Sequence, residues 1–350
     1  MELAPGVTAH EQDTDRLRIH YLSSGPADGI PVVLVHGNLS TGRFYETVMA
    51  GAPSEYRFIA PDMRGFGRSE RKALDATRGL ADWADDVHAL VQALGIQTPV
   101  HLAGWSTGGA AVTRYAMDRP VASITLIDPV SPYGFGGCHR DGTPCFPDWA
   151  GTGGGTGNPE FVQRLLAGDR GSESPFSPRN VMASSYWSPS YTMPEEQFDV
   201  LVDEVLLSTV GDDGYPGDAT ASENWPGMAP GTLGILNALS GKYCDWSGIV
   251  DIDPKSPILW THGTEDIVIA DGSAWEMGTL GAAGYVPGWP GAEVYPPQPQ
   301  VTQIRDVLEE YGRRGGRVQI EMMEGSGHGP VLDAADRWNA LFYAFLDTAR

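Results

Sequence analysis

Opening an acyl bond takes a hydroxyl that attacks, an imidazole that takes its proton, and a carboxylate that fixes the imidazole's tautomer. Ser106 is the hydroxyl with the most telling setting. It lies in "GWSTG" (104–108), after the strand-like run Val100, His101, Leu102, Ala103 and before the small residues Ala110, Ala111 and Val112. A serine between glycines at a strand-to-helix corner is the pattern of a nucleophile elbow, a tight turn that holds the hydroxyl out at the sheet edge.

Of the eight histidines, His328 alone lies in a Gly-rich loop, "EGSGHGPVLD" (324–333), after an apolar run and before a helix pattern of Trp338, Leu341, Phe342 and Phe345. Those glycines read as a flexible loop able to swing the ring over Ser106. His36 has a different reading, as a shaper of its own "HGN" loop. Two acids compete to orient the ring. Asp266 stands in "GTEDIV" (263–268), with Glu265 and Asp271 as neighbouring rivals, and Asp128 closes the run "TLIDP" (125–129). For the oxyanion, the backbone N–H groups of Asn38 and Thr107 are the candidate donors, because Gly37 lets the chain turn without a side chain in the way.

Positioning these residues requires a sheet. Residues 17–22 alternate like a strand; 31–38 form a continuous apolar strand ending in a loop; 56–70 run from a strand into "PDMRGFGRS". Three strands are thus expected before the elbow. Leu80, Trp83, Val87, Leu90, Val91 and Leu94 recur at helical spacing, with Gly95 as a stop signal. Further short apolar runs at 123–129, 257–263 and 317–324 each precede a turn or helix pattern. Alternation of this kind predicts an α/β fold with a mostly parallel sheet. Asp62 and Arg64 read as charges that pin the "PDMRGFGRS" loop.

Taken in order, "HGN", "PDMRGFGRS", "GWSTG", "GTEDIV" and "GSGHG" resemble the α/β-hydrolase superfamily, specifically members with a cap inserted after the sixth strand. The resemblance spans nearly the whole chain outside the insert. It implies the α/β-hydrolase fold, a triad in the chain order Ser, acid, His, and an oxyanion hole shared between the residue after the nucleophile and an early loop. By that resemblance Asp266 holds the usual acid position. Some hydrolases, macrolactone-cleaving ones among them, draw their acid from the sixth strand, which keeps Asp128 open; Asp266 is favoured.

The expected division is a core of 1–130 and 256–350 with a cap over 131–255. Within the cap, Asn158 with Pro159 reads as a helix start, and Thr192 with Glu195 as a capping box. Residues 270–300 read as a long loop too rich in Pro and Gly for regular structure, and "GTGGGTG" (151–157) as a local flexible segment rather than a dinucleotide loop. The insert is rich in aromatics. Tyr133, Phe135, Tyr186, Trp187, Tyr191 and Trp225, with Trp105 beside the serine, are the candidate substrate contacts, implying an apolar, ring-containing group.

Composition sets the outer limits. The 350 residues carry a formal charge of −22, which disfavours a nucleic-acid partner. With 41% hydrophobic and 19% charged residues and no apolar run of membrane-spanning length, the chain reads as globular, without a membrane partner. Lacking a basic and apolar leader at its start, it is expected in the cytoplasm. Three cysteines, Cys138, Cys145 and Cys244, are too few and irregular for a zinc site; Cys138 and Cys145 are the one pair placed to bridge a loop, and three reduced thiols are favoured. No metal or organic cofactor is expected, and the oligomeric state is left open. The expected activity is a serine hydrolase cleaving a small-molecule ester or lactone through an acyl-enzyme. A carbon–carbon bond hydrolase or perhydrolase remains open on the same fold. So does a hydrolase-like small-molecule receptor with slow turnover. Ser106 argues against dehalogenases and epoxide hydrolases, which attack with an aspartate at the elbow.

Overall fold

The computed structural model describes residues 2–349. Among them, eight strands form one sheet in the order β1-β2-β4-β3-β5-β6-β11-β12. The strands are β1 (Thr8–Asp13), β2 (Arg18–Ser24), β3 (Ile30–Val35), β4 (Tyr56–Pro61), β5 (His101–Trp105), β6 (Ser123–Ile127), β11 (Ile258–Gly263) and β12 (Val318–Met323). The first three in that order pair antiparallel and the remainder parallel. Val32 to Val35 and all of β5, β6 and β11 are buried, as continuous apolar runs require when helices cover both faces of a parallel sheet.

Four strands, not three, precede the elbow. The missed one, β1, is exposed along most of its length at the sheet edge, and an edge strand solvated on both faces has no hydrophobic alternation to betray it. Helix α1 (Glu46–Ala50) is short; α2 (Ala81–Ala93) buries Trp83, Val87, Leu90 and Val91 and ends before Gly95 at φ 69°. Helix α3 (Thr107–Asp118) follows β5 directly and keeps a buried face of small residues against the sheet.

Between β6 and β11 runs a long insert. It contains α4 (Pro159–Leu166), α5 (Pro178–Ser185), α6 (Glu195–Val205), the strand pairs β7 (Val210–Gly211) with β8 (Tyr215–Pro216) and β9 (Ala219–Ala221) with β10 (Met228–Pro230), and α7 (Ile235–Ala238). Asn158 caps α4, its side chain accepting from the N–H groups of Glu160 and Phe161. The Thr192 capping box does not form: α6 starts at Glu195 behind Pro194, with no side-chain cap. Its buried Glu204 instead ties the insert to the core, accepting from Thr41 (2.9 Å) and from both Arg68 nitrogens (2.8 Å each).

The stretch 270–300 is also more ordered than its composition predicts. Glu276 caps a short helix, α8 (Met277–Ala282), by accepting from the N–H groups of Gly278 and Thr279. Helix α9 (Gln300–Arg313) then leads to β12, followed by α10 (Pro330–Asp333) and α11 (Ala335–Thr348). All three cysteines are free thiols. Among the described residues no helix is long and apolar enough to cross a membrane.

The strand order reverses direction between β3 and β5. From β3 the chain moves to β4 on one side and then back to β5 on the other. Such a switch point opens a crevice beyond the carboxyl ends of the strands. Asn38 follows β3 and Ser106 follows β5, so both stand at its rim.

Candidate active site

Ser106 sits at φ 56° and ψ −116°, a backbone shape rarely held by a non-glycine residue. Its two flanking glycines have a steric reason. A Cβ on Gly104 would lie 2.2 Å from the Gly108 carbonyl oxygen, and one on Gly108 would lie 2.1 Å from the Val35 oxygen. The turn is held by the Ser106 N–H donating to Ile127 (2.8 Å) and by Val130 donating to the Ser106 carbonyl (3.2 Å). The five-residue pattern is therefore what allows β5, the elbow and β3 to touch.

Asn38 and Thr107, the candidate oxyanion donors, line the same cavity as Ser106. Thr107 opens α3, so its N–H is one of those a helix leaves without an intrahelical acceptor. Gly37 comes so close to the elbow that a Cβ there would lie 3.1 Å from that of Ser106. The Asn38 loop is braced on two sides. The Tyr186 hydroxyl, from the insert, donates to the Leu39 carbonyl at 3.0 Å. His36 accepts the Met63 N–H on Nε2 (2.9 Å), so its proton is on Nδ1, which donates to the Gly37 carbonyl (2.7 Å). Burial holds that ring's pKa down at about 4, so it stays neutral.

His328 and Ser106 line the same cavity. The His328 Nδ1 is 2.8 Å from Asp266 Oδ2, while Asp266 Oδ1 accepts from the N–H groups of Val268 (2.7 Å) and Ile269 (3.1 Å). Burial pushes the Asp266 carboxyl up, but the charge and hydrogen bond of His328 outweigh it and leave it below the ordinary carboxylate range. Of the rival acids, Glu265 accepts from Ser188 of the insert and Asp271 from Thr302 of α9; neither holds His328.

Asp128 comes close without taking the ring. Its Oδ1 accepts the Gly263 N–H at 2.8 Å, and it lies beside Asp266 and His262. One ligand atom from each of Asp128, His262 and Asp266 falls within 4.8 Å of the others, a donor set that fits a divalent cation by type. Asp266 Oδ2, however, is already engaged by His328.

The loop carrying His328 is clamped rather than free to swing. Ser326 and His328 are buried, and a Cβ on Gly327 would lie 2.4 Å from the Trp187 backbone. Trp105 donates its indole N–H to the His328 carbonyl at 2.6 Å. Asp333 accepts from the N–H groups of Gly327 (2.7 Å) and Ser188 (2.8 Å), bracing loop and insert together. Asp333 went unnoticed in the sequence. Its position, five residues after the histidine at the end of α10, was the only available signal.

The cavity has a volume of about 660 Å³ and runs between the strand ends, the insert and α8. Trp105, Phe135 and Tyr186 line it, as expected from the sequence. Tyr133, Trp187, Tyr191 and Trp225 do not. Trp187 packs on Phe198 (5.1 Å between rings) and Tyr191 (6.4 Å), forming the insert's own core. The Tyr133 ring is covered by Gly142, and Trp225 stands behind α8 at Gly281, edge-to-face with Tyr295 at 4.9 Å. Much of the wall comes instead from Phe161, Val181, Met228, Ile269 and Leu280. Gly153, Gly155 and Gly157 line it too, so the "GTGGGTG" segment is a tight turn in the cavity wall.

Comparison with known proteins fits this geometry. The family model for the alpha/beta hydrolase fold matches residues 30–152. A non-heme chloroperoxidase of Streptomyces lividans is 39% identical over 123 residues, 34% of this chain and 44% of that protein. A 2-hydroxy-6-oxo-6-phenylhexa-2,4-dienoate hydrolase of Burkholderia cepacia is 33% identical over 129 residues, 35% of this chain and 44% of that protein. The chain thus spans under half the length of these curated relatives. Among solved structures, a putative aryl esterase from Burkholderia cenocepacia superposes with a TM-score of 0.61 at 17% identity, covering 98% of this chain and 99% of that one. The epoxide hydrolase CorEH superposes with a TM-score of 0.62 at 18% identity, covering 98% and 100%. Strand order, elbow and structural likeness agree on the α/β-hydrolase fold, to whose family model residues 30–152 are similar.

Proposed function

We propose that the protein is a serine hydrolase cleaving a carboxylic ester or lactone of an apolar, ring-bearing small molecule through an acyl-enzyme. The observation that carries this reading is the Asp266–His328 hydrogen bond of 2.8 Å on a cavity that Ser106 also lines. Asp266 fixes the proton on Nδ1, which leaves Nε2 with the lone pair that accepts the serine proton as Oγ attacks the carbonyl. The N–H groups of Asn38 and Thr107 receive the oxyanion, and the imidazolium then protonates the leaving alcohol. The insert is read as a cap: with α8 it encloses an apolar cavity of about 660 Å³, room for a bulky acyl or alcohol group.

A fluorophosphonate probe tests the reading by labelling Ser106, and Ser106→Ala should lower kcat by roughly 10³ to 10⁶ with the fold intact. Label found on another residue, or a folded variant with near-normal turnover of an aryl-ester and lactone panel, would overturn it. A second reading, carbon–carbon bond hydrolysis, draws on the match to the phenylhexadienoate hydrolase. It predicts turnover of a vinylogous diketone faster than of any ester in the panel.

A further inference from the structure

Asp128 is more than the losing candidate for the triad acid. It sits at the end of β6 at φ 42° with no exposed surface, and its Oδ2 has no hydrogen-bond partner among the described residues. Among the described residues, Asp266 and His262 lie beside it and the Asp333 charge also acts on it; His328 is bonded to Asp266, whose Oδ2 stands 3.8 Å from the His262 Nε2. None of them offers Oδ2 a proton. The His262 Nε2 lies 3.0 Å from the Ile269 carbonyl, which can only accept, so Nε2 carries the ring proton. His262 Nδ1, buried and itself unpartnered, therefore turns a lone pair toward Asp128, 3.6 Å from its Oδ1. On its other side stands the Asp266 carboxylate, whose Oδ2 takes the His328 Nδ1 proton.

The Gly263 N–H serves Oδ1 alone, so a carboxylate at 128 would leave Oδ2 buried without a donor beside the unpaired His262 Nδ1 and the Asp266 carboxylate, at the full desolvation cost of each unpaired group. Two neighbouring buried carboxyls without a cation cannot both ionise. We infer that Asp128 is held as a neutral carboxylic acid whose O–H donates to Asp266, making Asp266 the middle of a chain that runs Asp128 O–H, Asp266 carboxylate, His328 Nδ1–H. Burial, and next to it the Asp266 charge, push the Asp128 carboxyl well above its ordinary range, while Asp266 is held low.

Asp128 is then a positioning residue. It fixes the Asp266 oxygen that receives His328, and it limits the cluster to one negative charge, matched to the one positive charge that His328 acquires. The positioning role rests on the function proposed above, whereas the protonation of Asp128 does not.

The test separates the two. In protein labelled with ¹³C at the aspartate carboxyls, one resonance, missing from Asp128→Asn, should keep the shift of a protonated acid at pH 7. A resonance that is already ionised at pH 7 overturns the inference whether or not the protein turns over an ester. Asparagine tolerates the positive φ at 128 and supplies an N–H in place of the acid O–H. Asp128→Asn should therefore lose only about threefold in kcat and should lack the alkaline fall that the wild type shows as Asp128 ionises. Asp128→Leu, with no donor, should lose roughly 100-fold in kcat with little change in KM. Equal losses in the two variants would overturn the inference. So would a wild-type enzyme inactivated by a chelator and restored by zinc, which would make the cluster a cation site. If the leucine variant fails to fold, the carboxyl spectrum and the asparagine pH profile still decide.

Discussion

The loops at the strand ends and the insert packed over them use the same residue types for opposite purposes. In the strand-end loops an aromatic or a glycine holds the candidate catalytic groups in place: Trp105 grips the His328 carbonyl, and Gly104 and Gly108 let the elbow touch β3. In the insert, Trp187 packs on Tyr191 and on Phe198, filling its own interior. Glycines 153, 155 and 157, which look like slack chain, are part of the cavity wall. Chemistry is set by short backbone stretches with strict steric needs, whereas the cavity is set by how separate segments happen to meet.

The largest effect that sharpens this contrast is at the acid. Asp266→Asn leaves the shape of the loop but loses the carboxylate that fixes the imidazole tautomer, and kcat should fall on the order of 10⁴ in the proposed triad. Asp128→Asn, one strand over, should cost orders of magnitude less. Measuring both on one aryl ester, with folding followed by circular dichroism, decides it; the reverse ranking would move the acid to β6.

The insert should answer to packing instead. Trp187→Ala removes a side chain 5% exposed and should destabilise the protein by about 3–5 kcal/mol, read as a lower denaturant midpoint, with KM within about twofold. A stable variant with a strongly raised KM would mean that Trp187 contacts substrate after all.

These two outcomes bear on what a sequence can disclose. The elbow, the His328 loop and Asp266 were legible because each depends on a few adjacent residues whose types the turn itself demands. Strand β1 was not, since its residues are solvated at the sheet edge and carry no periodic signal. The wall was legible only in part. Phe135 and Tyr186 were found, but Val181, Met228 and Leu280 are ordinary apolar residues until the insert and α8 fold against the strand ends. Reading the Gly-rich histidine loop as flexible confused two uses of glycine: Gly327 is there because the Trp187 backbone leaves no room for a Cβ.

A pH titration probes a strand-end loop that is structural rather than reactive. Burial holds His36 neutral down to about 4, against 6.5 for an ordinary imidazole. Between those values the unfolded chain takes up a proton that the folded chain refuses, so stability falls as pH falls through the window, by about 3 kcal/mol in all. The loss is complete near the lower value and absent above the upper one. Urea midpoints from pH 7 to pH 4 should show that slope in the wild type and a shallower one in His36→Gln. Parallel slopes would mean that His36 is protonated in the folded protein and that the Met63 N–H has another acceptor.

The smallest effect tests the cavity wall itself. Leu280 is half-buried on α8 and faces the cavity, while Trp225 stands behind the same helix at Gly281. Enlarging the first should therefore subtract volume from the cavity, and trimming the second should not add any directly. Leu280→Trp should lower kcat/KM for esters with a bulky ring by roughly tenfold while leaving acetate esters near wild type, a size selection of the kind a filled apolar pocket imposes. Trp225→Ala should lower both substrates alike, if at all, because what it removes is a ring packed between Gly281 of α8 and Tyr295. The ratio of the two kcat/KM values, measured for each variant, cancels differences in folded fraction. If that ratio is unchanged in Leu280→Trp and shifted in Trp225→Ala, the substrate lies on the other side of α8, and the aromatic residues picked out in the sequence were the better guide.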